Sequence, residues 1–155
     1  MENENGNSQA DEKTNLQALY RKWHPHPVLV HFPIGSLFLG GLLQLLFLIS
    51  KRSSFENAAF YSILFATIFE FPAVASGIFS WWLNYRRALT SVFKKKLIYS
   101  IALLIMCCCT AITRVLITDI SFRSDIFSYV YNILVFSSVL VVFAIAYYGG
   151  KIGWH

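Results

Sequence analysis

Four long apolar stretches divide the chain, roughly Pro27 to Ser50, Phe55 to Tyr85, Leu97 to Thr118 and Ile126 to Tyr148. Between them stand the short polar segments "KRSS", "RRALTSVFKKK" and "TDISFRSD". A helix needs about 20 apolar residues to cross the hydrocarbon core of a bilayer, and each stretch reaches that length. Loops this short force neighbouring helices antiparallel. The pattern therefore predicts an all-α integral membrane protein, a four-transmembrane-helix bundle with up-down-up-down connectivity spanning residues 24–155. The polar, acidic residues 1–23 lack the basic start and apolar core of a secretory signal and read as a flexible tail or a short surface helix. No internal repeat is visible.

Composition agrees: 56% of the 155 residues are hydrophobic, and the mean hydropathy is +0.54. A formal charge of +5 raises the question of nucleic acid, but the 13 Lys and Arg fall mostly in clusters between apolar runs. That is where topology signals belong, so nucleic-acid binding is set aside and the lipid bilayer is the expected partner. An even number of spans brings both termini and the second loop to one face. That face carries Lys13, Arg21, Lys22, Arg86, Arg87, Lys94, Lys95, Lys96 and Lys151, nine basic residues against Lys51, Arg52, Arg114 and Arg123 opposite. The excess predicts cytoplasmic termini. Cys107, Cys108 and Cys109 are adjacent in an apolar run and match no disulfide, zinc or c-type haem spacing, so they read as small apolar residues.

The same topology gathers all four histidines. His24, His26 and His31 precede or open span one, and His155 follows span four, so imidazoles from different helices meet at one membrane face together with Trp23, Trp81, Trp82 and Trp154. Tryptophan favours the interface in any case. Imidazole is a common axial ligand of haem iron. With a helix start at Pro27, His31 lies about one turn, or roughly 6 Å, inside the bilayer and is expected to be buried. Gly35 follows one turn later. Ala73, Ser76, Gly77 and Ser80 form a small-residue stripe in span two, suited to a close helix neighbour or a flat ligand. Pro33 and Pro72 are expected to kink their helices. Glu70, a carboxylate well inside an apolar run, is a candidate proton relay or hydrogen-bond partner of a neighbouring helix, because an unpaired charge there is costly. Gly149 and Gly150 read as the end of the fourth helix.

"HPHPVLVHFPIG" in span one, "SGIFSWW" closing span two and "GGKIGWH" after span four resemble the three signatures of a bacterial four-span membrane family, domain of unknown function 2231, and the resemblance covers His24 to His155. It implies an inner-membrane protein with His26, His31 and His155 as functional positions and Gly77, Gly149 and Gly150 as structural glycines. The redox domains fused to some members imply haem-linked electron transfer. The chain departs from the pattern in carrying Ser80 where many members have Asp, and Tyr99 and Ser100 where they have a further His. That implies one haem where such relatives hold two, or none.

The resulting expectation is a cytochrome-b-like electron-transfer protein or subunit binding b-type haem, with His31 and His155 as axial ligands and His26 as the substitute for either. In that scheme Trp81, Trp82 and Trp154 pack around the macrocycle, and Arg86, Arg87 or Lys151 pair with its propionates. Other membrane or redox proteins are the expected partners. No nucleophile-base pair, phosphate loop or carboxylate pair is apparent, so an electron-transfer or complex subunit is favoured over a stand-alone enzyme. The alternative is a cofactor-free membrane anchor or structural subunit docking through its small-residue stripes.

Overall fold

The computed structural model describes residues 14–20, 22–23, 25–84 and 90–153. Four helices, α1 (Pro25–Ser50), α2 (Ser53–Asn84), α3 (Ser91–Leu116) and α4 (Ile126–Gly153), are each long and apolar enough to cross a membrane, and no strand occurs among the described residues. Their outer surfaces carry exposed Leu, Ile, Val and Phe along the full length, as lipid contact requires. α1 packs most extensively on α2 and α3 on α4; contacts between α2 and α3 and between α1 and α4 close the ring, leaving α1 and α3 diagonal. The bundle is thus two antiparallel hairpins joined along a looser seam.

Close helix approach explains the small residues. A Cβ on Gly40 would lie 2.9 Å from Ile63 Cγ1 of α2, and one on Gly41 would lie 2.7 Å from Val139 Cγ2 of α4. Leu37, Ala66, Leu103, Cys107 and Val142, drawn from all four helices, form a dry cluster halfway through the bundle. Cys107 is buried there as a small apolar group, whereas Cys109 is exposed.

Several helix ends differ from the sequence reading. α3 begins at Ser91, because the Thr90 hydroxyl accepts the Phe93 N–H (3.3 Å) and starts the helix before the lysine cluster. "KKK" is therefore helical and lies at the membrane end of α3, although its charge reads as loop. α4 continues through Gly149 and Gly150 to Gly153; no described glycine has positive φ, so the left-handed terminus that a Gly pair suggests does not form. α1 and α2 are assigned as unbroken helices across Pro33 and Pro72. Before α1, residues 14–20 are helical and dock on α2: the Gln17 side-chain amide donates to the Leu83 carbonyl (2.6 Å), and the Tyr20 hydroxyl donates to the Ser76 carbonyl (3.1 Å). Burial pushes the Tyr20 pKa up, against the opposing effect of a hydrogen bond with Ser80.

Candidate functional site

A cavity of about 110 Å³ opens in the seam between the hairpins, at the end of the bundle where α1 and α3 begin. His26, Val30, Pro33 and Ile34 line it from α1, Phe93, Lys96, Leu97, Ser100 and Leu103 from α3, and Val142 and Ile145 from α4. α2 contributes Glu70, Ala73, Val74, Gly77, Ile78, Ser80 and Trp81. The walls are mainly apolar, with an imidazole, an amine and a carboxyl among them. Trp81 and Phe93 stack at the outer end, with ring centroids 5.3 Å apart and planes 15° from parallel.

Among the described residues, His26 is the histidine that the fold brings into the cavity. Its Nδ1 lies 2.9 Å from Ser76 Oγ, and that hydroxyl donates its own proton to the Ala73 carbonyl (2.8 Å). The Ser76 hydroxyl has one proton to give. The network therefore assigns a proton to His26 Nδ1, which donates to Ser76, and leaves the lone pair on Nε2. The ring rests on Gly77, where a Cβ would lie 3.0 Å from His26 Cε1. This contact gives the "SG" of "SGIFSWW" a physical role: Ser76 orients the imidazole, and Gly77 makes room for it.

His31 is placed differently from expectation. The core face of α1 runs through Val30, Pro33, Ile34 and Leu37, and His31 falls about 100° round the helix from Val30. It is exposed on the outside of the bundle, and its Nδ1 donates to the Pro27 carbonyl one turn back. Depth along the helix was legible in the sequence, but the face was not. Gly35 also departs from the expected site: it is absent from the cavity lining, and a Cβ added to it would meet nothing within 4 Å. Trp82 is 37% exposed and packs against Phe79, outside the cavity. His24, Arg86, Arg87, Trp154 and His155 lie outside the described residues, as does the Lys151 side chain. Among the described residues no three His, Cys, Asp or Glu side chains converge as a metal site.

Glu70 reaches the inner end of the cavity and is 5% exposed; no described residue hydrogen-bonds to its carboxyl or forms an ion pair with it. Lys96, counted in the sequence as a loop charge, turns into the cavity, with Nζ 3.7 Å from where a Gly149 Cβ would lie. His26 from the first signature, Ser76, Gly77 and Trp81 from the second and Gly149 from the third are thus gathered at one end of the bundle. Ser80 and Ser100, at or beside the departures from the family pattern, line the same cavity.

The opposite end holds a polar cluster that the sequence reading missed. Glu56, 1% exposed, accepts two hydrogen bonds from Arg114, Nε to Oε1 at 2.5 Å and Nη2 to Oε2 at 2.8 Å, and a third from the Ser121 hydroxyl at 3.0 Å. Arg114 lies inside the third apolar run, so the signal that singled out Glu70, an ionisable residue within a span, was present there too.

No curated protein and no solved structure matches the chain. The sequence model of a family described as "Predicted membrane protein (DUF2231)" matches residues 24–155, and with four membrane-length helices over that range the chain belongs to the family known as domain of unknown function 2231.

Proposed function

We propose that the protein is a cytochrome-b-like electron-transfer subunit of the bacterial inner membrane, with cytoplasmic termini, that binds b-type haem through His26. The observation that carries this reading is the setting of that ring: Nδ1–H held by Ser76, the lone pair left on Nε2 and the ring face laid on Gly77. A second group that fixes the tautomer is what an imidazole ligand to iron requires. Apolar walls from all four helices suit a macrocycle, and Lys96 supplies a cation for a propionate. The residues fit the group, while the cavity as it stands is smaller than the roughly 150 Å³ that holds one benzene ring. Loading therefore requires the two hairpins to part along their seam. When bound, haem supplies one-electron chemistry. The chain's own contribution would be to orient the ligand nitrogen, flank the macrocycle edge with Trp81 and Phe93, and balance negative charge with Lys96.

The test is an optical spectrum of the detergent-solubilised protein supplied with haem. A Soret band is expected that is lost in His26→Ala and retained in His31→Ala. No band, or one indifferent to His26, overturns the assignment. A second reading, a cofactor-free anchor subunit of a larger membrane complex, is favoured by the outer face of α1, where exposed His31 and the open space beside Gly35 leave room for a neighbouring helix. That reading predicts co-purifying membrane partners lost on Gly35→Leu, and no pigment.

A further inference from the structure

The cavity has a depth and a direction. Along α2 it runs from Trp81 at the outer end to Glu70 at the inner end, a separation of 11 residues (81 − 70), or about 16 Å of helix. Glu70 stands near the middle of α2, at bilayer depth, and is the sole carboxyl lining the crevice among the described residues. His26 and Lys96 flank the approach nearer the outer end. One turn beyond Glu70 the passage is closed by Leu37, Ala66, Leu103, Cys107 and Val142. The next polar layer, Gln44 hydrogen-bonded to Asn132 (2.9 Å) and then Glu56 with Arg114, lies on the far side of that cluster.

We propose that this crevice is a one-sided access path that lets Glu70 exchange protons with the face carrying the chain termini, while the Leu37–Cys107 layer seals it from the opposite face. A carboxyl at bilayer depth is costly as an unpaired anion, and the buried hydroxyls of this part of the bundle are committed elsewhere. Thr67 Oγ1 donates to the Ile63 carbonyl (2.8 Å) and lies 3.4 Å from the Cys107 carbonyl, and Thr110 Oγ1 donates to the Met106 carbonyl (2.8 Å). The ionisable groups that share the crevice with Glu70 are His26 from α1 and Lys96 from α3, and the Cys107 thiol of α3 lies near its inner end. α4 presents only Val142 and Ile145 among the described residues. The opening toward Lys96 and His26 is the route by which water reaches the carboxyl. Because the path stops at the dry layer, protonation at Glu70 follows one compartment and does not conduct. This inference does not depend on haem.

The experiment uses the full chain in vesicles of phosphatidylcholine and phosphatidylglycerol, with orientation fixed by protease access to the termini. A hydrophobic carbodiimide adds the protonated carboxyl across its C=N bond: the carboxyl oxygen bonds to carbon and its proton moves to nitrogen. Rearrangement leaves a stable N-acylurea read by mass. Labelling at Glu70, absent in Glu70→Gln, is expected to rise as pH is lowered on the terminus-bearing side and to be unchanged when only the other side is acidified, with the vesicles holding their pH gradient. Labelling that follows the opposite side, follows both sides or is indifferent to pH overturns the proposal, as does a proton leak abolished by Glu70→Gln.

Discussion

At the residue scale, two glycines of one protein are expected to respond to the same substitution with opposite sign. In a helix interior alanine is favoured over glycine by about 1 kcal/mol. At Gly35, where a Cβ meets nothing within 4 Å, that preference should be realised, and Gly35→Ala is expected to hold or raise the unfolding midpoint. At Gly77 a Cβ would press on His26 Cε1 at 3.0 Å, and the ring, held at Nδ1 by Ser76, cannot turn away without breaking that bond. Gly77→Ala is therefore expected to lower the midpoint and to shift the His26 ring ¹⁵N signals, whereas Gly35→Ala leaves them in place. A common midpoint shift for both variants contradicts the contact. The sequence flagged Gly77 as one of several small residues; only the fold shows what it accommodates.

At the element scale, the Glu56–Arg114 pair ties the start of α2 to the end of α3, and Ser121 extends it to the connection before α4. Removing one partner of such a pair strands a buried charge, which typically costs about 3–5 kcal/mol. Arg114→Ala and Glu56→Ala are each expected to lose stability on that scale in denaturant titration, while Glu56→Gln combined with Arg114→Met loses less than the sum of its single changes. Where α4 begins, Asp125 Oδ1 accepts the Ser128 N–H at 3.0 Å, and the Arg123 guanidinium donates to Oδ2 at 2.8 Å. The backbone hydrogen bond, followed by the arginine, holds the Asp125 carboxyl below its ordinary value. A depressed folded-state value means that this cap contributes fully above the unfolded carboxylate range and is lost as pH falls through the folded value. The protection factor of the Ser128 amide, the intrinsic exchange rate divided by the observed rate at the same pH, is expected to fall on acidification in the wild type and to be flat with pH in Asp125→Asn.

At the scale of the whole molecule, the bundle is polar at both ends and dry in the middle. The starts of α1 and α3 and the end of α4 share the end that holds the cavity. With the proposed cytoplasmic termini, single cysteines at residues 10 and 88 of a Cys-free variant are expected to resist an impermeant maleimide in intact cells, whereas one at residue 119 reacts. The reverse pattern inverts the orientation without altering the fold. Under the proposed function, the looser seam between the hairpins is also where haem would enter. A disulfide engineered across it is expected to block haem uptake and leave the far polar cluster unchanged.

The number of spans, their antiparallel order and the grouping of the three signature motifs at one end were all determined by the sequence, because span length and loop length depend on local composition alone. Glu70 was also legible there, since an ionisable residue in an apolar run stands out without a structure. Which histidine faces inward was decided by tertiary packing. All four helices are apolar nearly all round, so periodicity does not mark a core face, and choosing His26 over His31 required knowing which stripe of α1 meets α2. The same ambiguity hid Lys96 in a charged cluster and left the Arg114 partner unidentified. Burial of either group depends on helices that are distant in sequence and adjacent only in the folded bundle.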